Sequence, residues 1–386
     1  MAPRAFLKKC KACAKRQAQK RGYNGLVALI ENDTTRSFLG PILDFLDDDS
    51  VTEILINSPD EIYIERKGKL IRAETAFADE DALFAAARNV AQFVGRRIDE
   101  LNPVMDARLP DGSRIHIVVP PCAKDGVYMA IRKFGDVPLE VKDLVKVGAM
   151  SVDMARFLHV CVQLKKNLIV SGSTSSGKTT LLNAISSFIP SDQRIVVIED
   201  ASELQLQQEH VLRMESVHSD KLTVDIRDLV KSSLRLRPDR IVIGEVRGPE
   251  ALDLLQAMTT GHSGSMSTLH ANNPRQAISR IETLIMMNRL EMPLIAIRSQ
   301  IANAIQIIVQ ASRLRDGSRR LTHVSELVGL DESGNYDIRD LFVLEILEQK
   351  EGAKARVKHR PTGELPSFLE EARRSGFKLD QKIFTP

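Results

Sequence analysis

A loop rich in glycine, serine and threonine, followed at once by lysine and threonine, lies near the middle of the chain. The apolar run 168–170 before it is typical of a buried strand, and the run 180–185 after it is typical of a helix. Small residues let the backbone curl so that successive N–H groups face a phosphate, and the following helix adds its positive end. This order of strand, loop and helix predicts a nucleoside-triphosphate site rather than a chance turn.

Two residues at the end of the loop have side chains suited to such a ligand. Lys178 is expected to reach the β- and γ-phosphates, and the Thr179 hydroxyl is expected to bind Mg²⁺. The remaining loop residues would bind phosphate mainly through backbone N–H groups. The predicted nucleotide-binding set is Gly172, Ser173, Thr174, Ser175, Ser176, Gly177, Lys178, Thr179 and Thr180.

Composition limits the class of protein. At 386 residues the chain is long enough for two domains, and its 43% hydrophobic and 27% charged residues are ordinary for a globular protein. The formal charge of +3 gives no argument for nucleic acid as a partner. No apolar run approaches the roughly 18–20 residues of a membrane-spanning helix. We therefore expect any membrane association to be peripheral or through a partner protein.

Cysteine usage and the N-terminal sequence favour the cytoplasm. Four cysteines do not make a disulfide framework in a chain of this size. Cys10 and Cys13 have C-x-x-C spacing, but no second pair or nearby histidine completes a zinc site. We interpret them as free thiols in a reducing compartment. The N-terminus also lacks the apolar segment of a cleavable signal peptide.

Changes in composition divide the chain into five predicted segments. They are a basic arm at 1–30, an N-terminal α/β domain at 31–135, a linker at 136–150, a nucleotide-binding core at 151–315 and a peripheral appendage at 316–386. Residues 1–22 carry eight Lys or Arg and no acid. Such an arm suits anionic lipid or nucleic acid, but it lacks interleaved aromatic residues for base stacking. A solvated arm is favoured, and a transit peptide is a further alternative.

In both domains the hydrophobic patterns predict a mixture of strands and helices. In the N-terminal domain, strands are predicted at 51–56, 61–64, 114–119 and 127–131, with one helix over 79–96. In the core, predicted strands at 195–198 and 241–243 alternate with predicted helices near 224–236 and 249–260. Alternating strands and helices predict a parallel sheet with helices on both faces.

Acidic residues follow two buried strands of this predicted sheet. Ligands bind at the carboxyl ends of parallel strands, so Glu245 is expected to polarise the attacking water. Gly244 occupies the position where the usual second nucleotide motif has a metal-binding Asp. Glu203 is expected to support Mg²⁺ through water, together with Glu245. Helix capping by Asp200 or Ser202 is the competing explanation for this acidic run.

The stretch 260–272 is unusually polar for an otherwise apolar domain. His262 and His270, with many hydroxyls around them, suggest a network that senses the γ-phosphate. For His262, a structural role as a satisfied buried histidine fits the sequence equally well. No carboxylate or thiol in this stretch completes the spacing of a metal site.

In combination these motifs resemble the secretion ATPase superfamily of type II and type IV secretion and type IV pilus systems. The run 198–204 looks like its acidic box with Glu203, 237–248 is similar to its Walker B motif, and 259–272 looks like its histidine box with His270. The CpaF-type ATPases of tight-adherence (Flp) pilus assembly are the most similar branch. That likeness is carried by the runs 53–57, 65–68, 106–114 and 131–134.

Two departures bear on the resemblance. The C-terminal half has no Cys-x-x-Cys pair, which type II secretion and many pilus extension ATPases carry for zinc. This argues against those branches. The basic arm has no counterpart in the family motifs.

The resemblance implies an α/β fold with a RecA-like P-loop NTPase C-terminal domain and a smaller α/β, PAS-like N-terminal domain. It also implies a homohexamer that hydrolyses ATP with Mg²⁺. Arg114 and Arg132 match the N-terminal arginines that approach the triphosphate, where a guanidinium would neutralise charge on the transferring phosphoryl group.

The expected function is a motor for assembly, and also retraction, of a tight-adherence pilus at the cytoplasmic membrane. Catalysis is assigned to Lys178, Glu203, Glu245 and His270, with Arg114 and Arg132. The expected partners are further copies of the chain and inner-membrane platform proteins, without direct nucleic acid. Two alternatives are a conjugative type IV secretion ATPase and a scaffold that binds ATP without hydrolysing it.

Overall fold

The structure is a computed structural model that describes residues 38–66, 68–109, 111–133, 139–218, 222–288, 292–348 and 353–386. The chain divides into two compact units, residues 1–136 and 137–386. The basic arm predicted at 1–30 lies outside the described residues. Within the described ranges, none of the helices combines the length and apolar character needed to cross a bilayer.

The first unit is built on one antiparallel sheet. Its elements are α1 (Leu43–Asp47), β1 (Val51–Ser58), β2 (Glu61–Arg66), β3 (Lys69–Arg72), α2 (Glu80–Phe93), β4 (Val104–Arg108), β5 (Arg114–Val118) and β6 (Tyr128–Arg132). The strand order is β3-β2-β1-β6-β5-β4. Helix α2 begins where the Asp79 carboxylate accepts a hydrogen bond from the Ala82 N–H, and it buries Leu83 and Val90 in the core. The predicted strands and helix of this domain are confirmed.

The second unit is larger. Its helices are α3 (Val141–Lys146), α4 (Val152–Gln163), α5 (Lys178–Ser186), α6 (Ile226–Ser233), α7 (Glu250–Thr259), α8 (Pro274–Met286), α9 (Leu294–Ala304) and α10 (Leu369–Arg374). Its strands are β7 (Leu168–Gly172), β8 (Ile195–Glu199), β9 (Val211–Glu215), β10 (Val217–His218), β11 (Thr223–Val224), β12 (Arg240–Ile243), β13 (Met266–His270), β14 (Ile307–Arg313), β15 (Arg319–Leu330), β16 (Tyr336–Glu348) and β17 (Arg356–Pro361).

One nine-stranded sheet organises this unit, in the order β17-β16-β15-β14-β7-β13-β12-β8-β9. The strands from β14 to β9 are parallel, and β15 to β17 extend them antiparallel. Leu168 and Val170 pack into the core on one face, while Ile169 packs into the core on the other. Because both faces are covered, the central strands β7, β8 and β12 are mostly apolar, as parallel strands usually are. The predicted α/β class with a separate, smaller N-terminal domain is confirmed.

The C-terminal segment is integral to this unit. The Phe157 ring lies 5.9 Å from Phe342, 6.0 Å from Phe368 and 5.6 Å from Phe384 between centroids. Residues 316–386, expected to form a peripheral appendage, therefore supply three strands of the main sheet and part of its core. Inside the expected linker, residues 141–146 form α3, whose Leu144 is buried in the same core.

Strand β13 has no counterpart in the sequence prediction, because its composition is polar. Its hydroxyl-bearing residues Ser267 and Thr268 are both buried. Their hydroxyls donate to backbone carbonyls, Ser267 to Thr268 and Thr268 to Gly244. Hydrogen bonding thus permits a polar sequence in the middle of the sheet, where hydropathy alone predicts none.

Candidate nucleotide-binding site

The predicted phosphate loop connects β7 to α5, as expected. Ser175 and Gly177 adopt left-handed backbone conformations, with φ of 57° and 90°. A Cβ at Gly172 would lie 2.5 Å from the Ala311 carbonyl oxygen, so only glycine fits there. The loop therefore depends on small residues for a steric reason as well as for its curvature.

Lys178 lies at the start of α5 and is 8% exposed. Its Nζ donates a hydrogen bond to the Ser173 carbonyl at 3.1 Å and lies 3.4 Å from His270 Nδ1. The same carbonyl accepts from the Ser176 hydroxyl at 2.8 Å. The ammonium group is thus bound by an oxygen within the loop, and a phosphate oxygen offers equivalent chemistry.

Glu245 follows β12 at the same edge of the sheet. Its Oε2 accepts a hydrogen bond from Arg247 Nη2 at 2.6 Å, and its Oε1 lies 2.8 Å from His270 Nε2. That Oε1 atom is buried, and none of the described residues is aligned to hydrogen-bond with it. Such an oxygen is suited to accept a hydrogen bond from a water molecule.

His270 lies between the lysine and the glutamate. It ends β13, which is parallel to β7 on one side and to β12 on the other. Burial lowers the pKa of the imidazole, and the positive charges of Lys178 and Arg247 lower it further, while Glu245 raises it. The net effect holds the pKa of the ring below its ordinary value, which favours the uncharged form at neutral pH.

The acidic run after β8 divides into two roles. Glu199 is buried, and its Oε1 accepts hydrogen bonds from the N–H groups of Glu203 at 2.9 Å and Leu204 at 3.0 Å. Glu203 itself is only partly buried. No helix follows directly, since residues 200–210 are irregular, so the helix-capping interpretation of this run is wrong. Glu199 instead folds the segment that presents Glu203.

Arg247 connects the two acidic motifs. Besides its bond to Glu245, its Nη1 lies 3.9 Å from Asp200 Oδ2. The hydrogen bond with Glu245 raises the pKa of this guanidinium, and the charges of Asp200 and Glu203 add to the effect. Its backbone is held by Glu250, whose Oε1 accepts from the N–H groups of Arg247 and Gly248 at 2.7 and 2.8 Å. Arg247 and Glu250 were not predicted as site residues. The signal that the sequence offered for Glu250 is an acidic residue at the start of a predicted helix.

The oxygen donors at this edge suit a hard cation. Mg²⁺ usually takes one or two protein oxygens and completes its shell with phosphates and water. Thr179 offers a hydroxyl on the first turn of α5, and the Glu245 carboxylate offers an acceptor to water molecules around the ion. Among the described residues, no three or more His, Cys, Asp or Glu are grouped as a metal site.

Arg114 and Arg132 belong to the first unit. They lie opposite each other on β5 and β6, and Arg108 lies opposite Arg114 on β4. Arg132 Nε is 3.9 Å from Glu53 Oε1. Cross-strand neighbours share a face of a sheet, so these three arginines form a basic row across three strands. Glu53 lies opposite Arg132 on β1, so a carboxylate borders this row.

His262 does not belong with His270. It precedes the N-terminal end of β13, whereas His270 ends that strand, so the two lie at opposite edges of the sheet. The expectation that both histidines sense the γ-phosphate is therefore wrong for His262. The His262 side chain is half-buried, and its Nδ1 is buried without a hydrogen-bond partner among the described residues, so a structural role stays a prediction.

The known proteins that this chain resembles are secretion or conjugal transfer proteins. A family model described as "Type II/IV secretion system protein" matches residues 36–358. A putative conjugal transfer protein of Mycobacterium tuberculosis (strain H37Rv) is 36% identical over 288 residues, covering 72% of this chain and 81% of that protein. The type IV secretion system protein PtlH of Bordetella pertussis is 34% identical over 298 residues, covering 70% of this chain and 88% of that protein.

A solved structure shows the same fold. The pilus retraction motor PilT with bound ADP aligns at a TM-score of 0.54 and 19% identity, covering 76% of this chain and 83% of that one. The matched family region includes the six-stranded sheet of the first unit and the phosphate loop, Glu245 and His270 of the second. The chain belongs to the type II/IV secretion system protein family.

Proposed function

We propose that this chain hydrolyses ATP with Mg²⁺ and that the site lies at the carboxyl edge of the nine-stranded sheet. One observation carries the proposal: His270 lies within 3.4 Å of the Lys178 ammonium and 2.8 Å of the Glu245 carboxylate. A phosphate-binding cation, a neutral imidazole and a carboxylate with an open oxygen are thus adjacent, which suits phosphoryl transfer to water.

Each residue has a defined task in this proposal. Lys178 and the loop N–H groups bind the phosphates, and Glu245 Oε1 orients the attacking water and accepts its proton. His270 lies between Lys178 and Glu245 and senses the γ-phosphate through these two residues. Bound Mg²⁺, held by Thr179 and through water by Glu203 and Glu245, would neutralise phosphate charge.

Arg114 and Arg132 complete the proposal from the first unit. Their cross-strand register gives a basic surface that favours an anionic ligand. We propose that they approach the triphosphate in a homohexamer, so that hydrolysis is linked to movement of the N-terminal domains. Replacing either arginine by Ala should lower ATP turnover while leaving nucleotide binding at the phosphate loop largely intact.

We propose that the free energy of ATP hydrolysis drives assembly of a tight-adherence pilus through inner-membrane platform proteins. The chain would act at the cytoplasmic face of that membrane. The motifs at 53–57 and 106–114 favour this branch. A second candidate, a conjugative type IV secretion machine, is favoured by the two relatives above, a putative conjugal transfer protein and a type IV secretion system protein. Deleting the gene and scoring surface pili against transfer of cargo to recipient cells separates the two.

The hydrolysis itself is tested by phosphate release from the purified chain. Lys178→Ala should reduce it to background, because the γ-phosphate loses its cation. The matched control is Lys358→Ala, which removes an exposed lysine on β17 and should leave turnover unchanged. If the parent chain binds ATP but releases no phosphate in any oligomeric state, the scaffold alternative replaces this proposal.

A further inference from the structure

The hairpin between β14 and β15 extends beside the phosphate loop. Strand β14 is parallel to β7, and Ala311 lies opposite Gly172, where β7 ends. Residues 312 and 313 therefore continue past the end of β7, along the loop. Arg319 lies opposite Arg313 on the returning strand, next to the turn of the hairpin.

Arg319 contacts the loop directly. Its Nε donates a hydrogen bond to the Ser175 carbonyl at 3.0 Å, across 144 residues of sequence. A Cβ placed on Gly177 would lie 3.2 Å from Arg319 Cδ, so the side-chain stem covers that glycine. Among the described residues, neither Nη atom of Arg319 has a hydrogen-bond partner, so both remain available to an anion.

The contacted carbonyl controls the direction of an N–H group. In a trans peptide the oxygen of residue 175 and the hydrogen of residue 176 point in opposite directions. With the Ser175 oxygen turned outward to Arg319, the Ser176 N–H points into the loop, where it donates to Ser173 O at 3.3 Å. Ser175 has a positive φ, which is uncommon for serine and needs support from its surroundings.

The backbone that carries Arg319 is itself held in place. Arg320 Nη1 donates to the Val147 carbonyl at 3.1 Å, and the Leu321 N–H donates to the Ala149 carbonyl at 2.8 Å. Arg319 is therefore supported by a fixed strand rather than by a mobile tip. A side chain on such a support can hold a loop conformation at little entropic cost.

We infer that Arg319 is a positioning residue for the phosphate loop and raises its affinity for a nucleoside di- or triphosphate. It keeps the 175–176 peptide unit oriented so that the Ser176 N–H closes the loop onto the Ser173 carbonyl, and it adds a guanidinium beside the phosphate subsite. This inference rests on the proposed function of the same site. Holding the loop and adding a guanidinium act equally on the bound nucleotide and on the transition state. We therefore expect Arg319 to affect nucleotide affinity and not kcat.

The test is a titration of the full-length chain with a fluorescent ADP analogue in the presence of Mg²⁺, alongside ATP turnover. Arg319→Ala should weaken binding about 5- to 20-fold and raise KM similarly, a loss between those typical of a neutral hydrogen bond and of one from a charged group. The kcat should change less than about twofold. Arg319→Lys, which keeps the charge and one donor, should recover part of the loss. Arg315→Ala, an exposed arginine on the same hairpin, is the matched control and should bind like the parent.

The outcomes separate this inference from the proposed function. If Lys178→Ala loses binding while Arg319→Ala binds within twofold of the parent, only the role of Arg319 is overturned. A loss of kcat at unchanged affinity in Arg319→Ala also overturns it. If neither the parent nor any variant binds the nucleotide, both are overturned. Equal thermal unfolding midpoints for all the variants show that the fold is intact.

Discussion

The side chain of Glu199 occupies the space that a side chain at Gly244 would need. A Cβ at residue 244 would lie 2.9 Å from Glu199 Cγ and 3.2 Å from its Oε1. Glu199 ends β8, and Gly244 directly follows β12, the parallel neighbour of β8; the Gly244 N–H donates to the Ile198 carbonyl at 2.9 Å. The missing Asp of the usual motif is thus explained by packing: a buried carboxylate from the next strand lies there instead.

Restoring the usual Asp should therefore damage the site. Gly244→Asp places two carboxylates in contact and forces Glu199 away from the N–H groups of Glu203 and Leu204. We expect turnover to fall at least tenfold and the free energy of unfolding to fall by about 1–3 kcal/mol, as for other overpacked sites. Phosphate release and urea unfolding followed by circular dichroism measure the two effects.

Two controls accompany that change. Gly244→Ala separates the steric effect from the charge, and it should lie between the parent and the Asp variant. Gly329→Ala adds a methyl where no atom lies within 4 Å and should be silent. Parent-like turnover of Gly244→Asp would show that Glu199 is free to move and that this packing is unimportant.

The histidine in the site should titrate below its usual range. The pKa of His270 is lowered chiefly by burial, so charging of the ring requires a pH below about 6.5, the ordinary value. If the neutral ring is the active form, turnover is flat above that pH and declines below it. The folded state binds this proton less tightly than the unfolded chain does. The contribution of His270 to the free energy of unfolding is therefore present above about pH 6.5 and is lost as the pH falls.

Substitutions around His270 should shift that pKa in opposite directions. Glu245→Gln removes the charge that raises the pKa and should lower it further, whereas Lys178→Ala should raise it. Titration of ¹³C-labelled histidine by NMR reads both shifts. His359, whose pKa is lowered by burial and is not influenced by either residue, is an internal control in the same spectra. Shifts of the same sign in both variants would contradict the arrangement described here.

The C-terminal segment should be needed for stability. Phe384 is 1% exposed and its ring contacts Phe157 and Phe342. Phe384→Ala should lower the free energy of unfolding by about 3–5 kcal/mol, because the cavity it leaves cannot be filled fully. The chain has no tryptophan, so urea unfolding is best followed by circular dichroism.

The neighbouring Lys382→Ala is the control for that variant. Lys382 is exposed in the same terminal turn, so its removal should change stability by less than about 0.5 kcal/mol. Equal stability of the two variants would restore the interpretation of 316–386 as a peripheral appendage.

The sequence predicted those parts of the site that depend on local pattern. The phosphate loop is identified by contiguous residues and by the strand and helix on either side of it. Glu245 was identified because it follows a predicted buried strand, and His270 because it lies in an unusually polar stretch. Arg319 and Arg247 were not predicted, because their partners are set by strand pairing and loop conformation rather than by spacing. Strand β13 was missed because its buried hydroxyls are satisfied by hydrogen bonds, which hydropathy does not register.

The most direct test of the account is the behaviour of Glu245→Gln, which keeps the size of the side chain and removes its basicity. We expect it to bind ATP with parent-like affinity while single-turnover hydrolysis falls about 10²- to 10³-fold. Glu332→Gln, on an exposed turn, should match the parent in both measurements. Parent-like hydrolysis by Glu245→Gln would contradict the assignment of this carboxylate, and with it the central claim of the account.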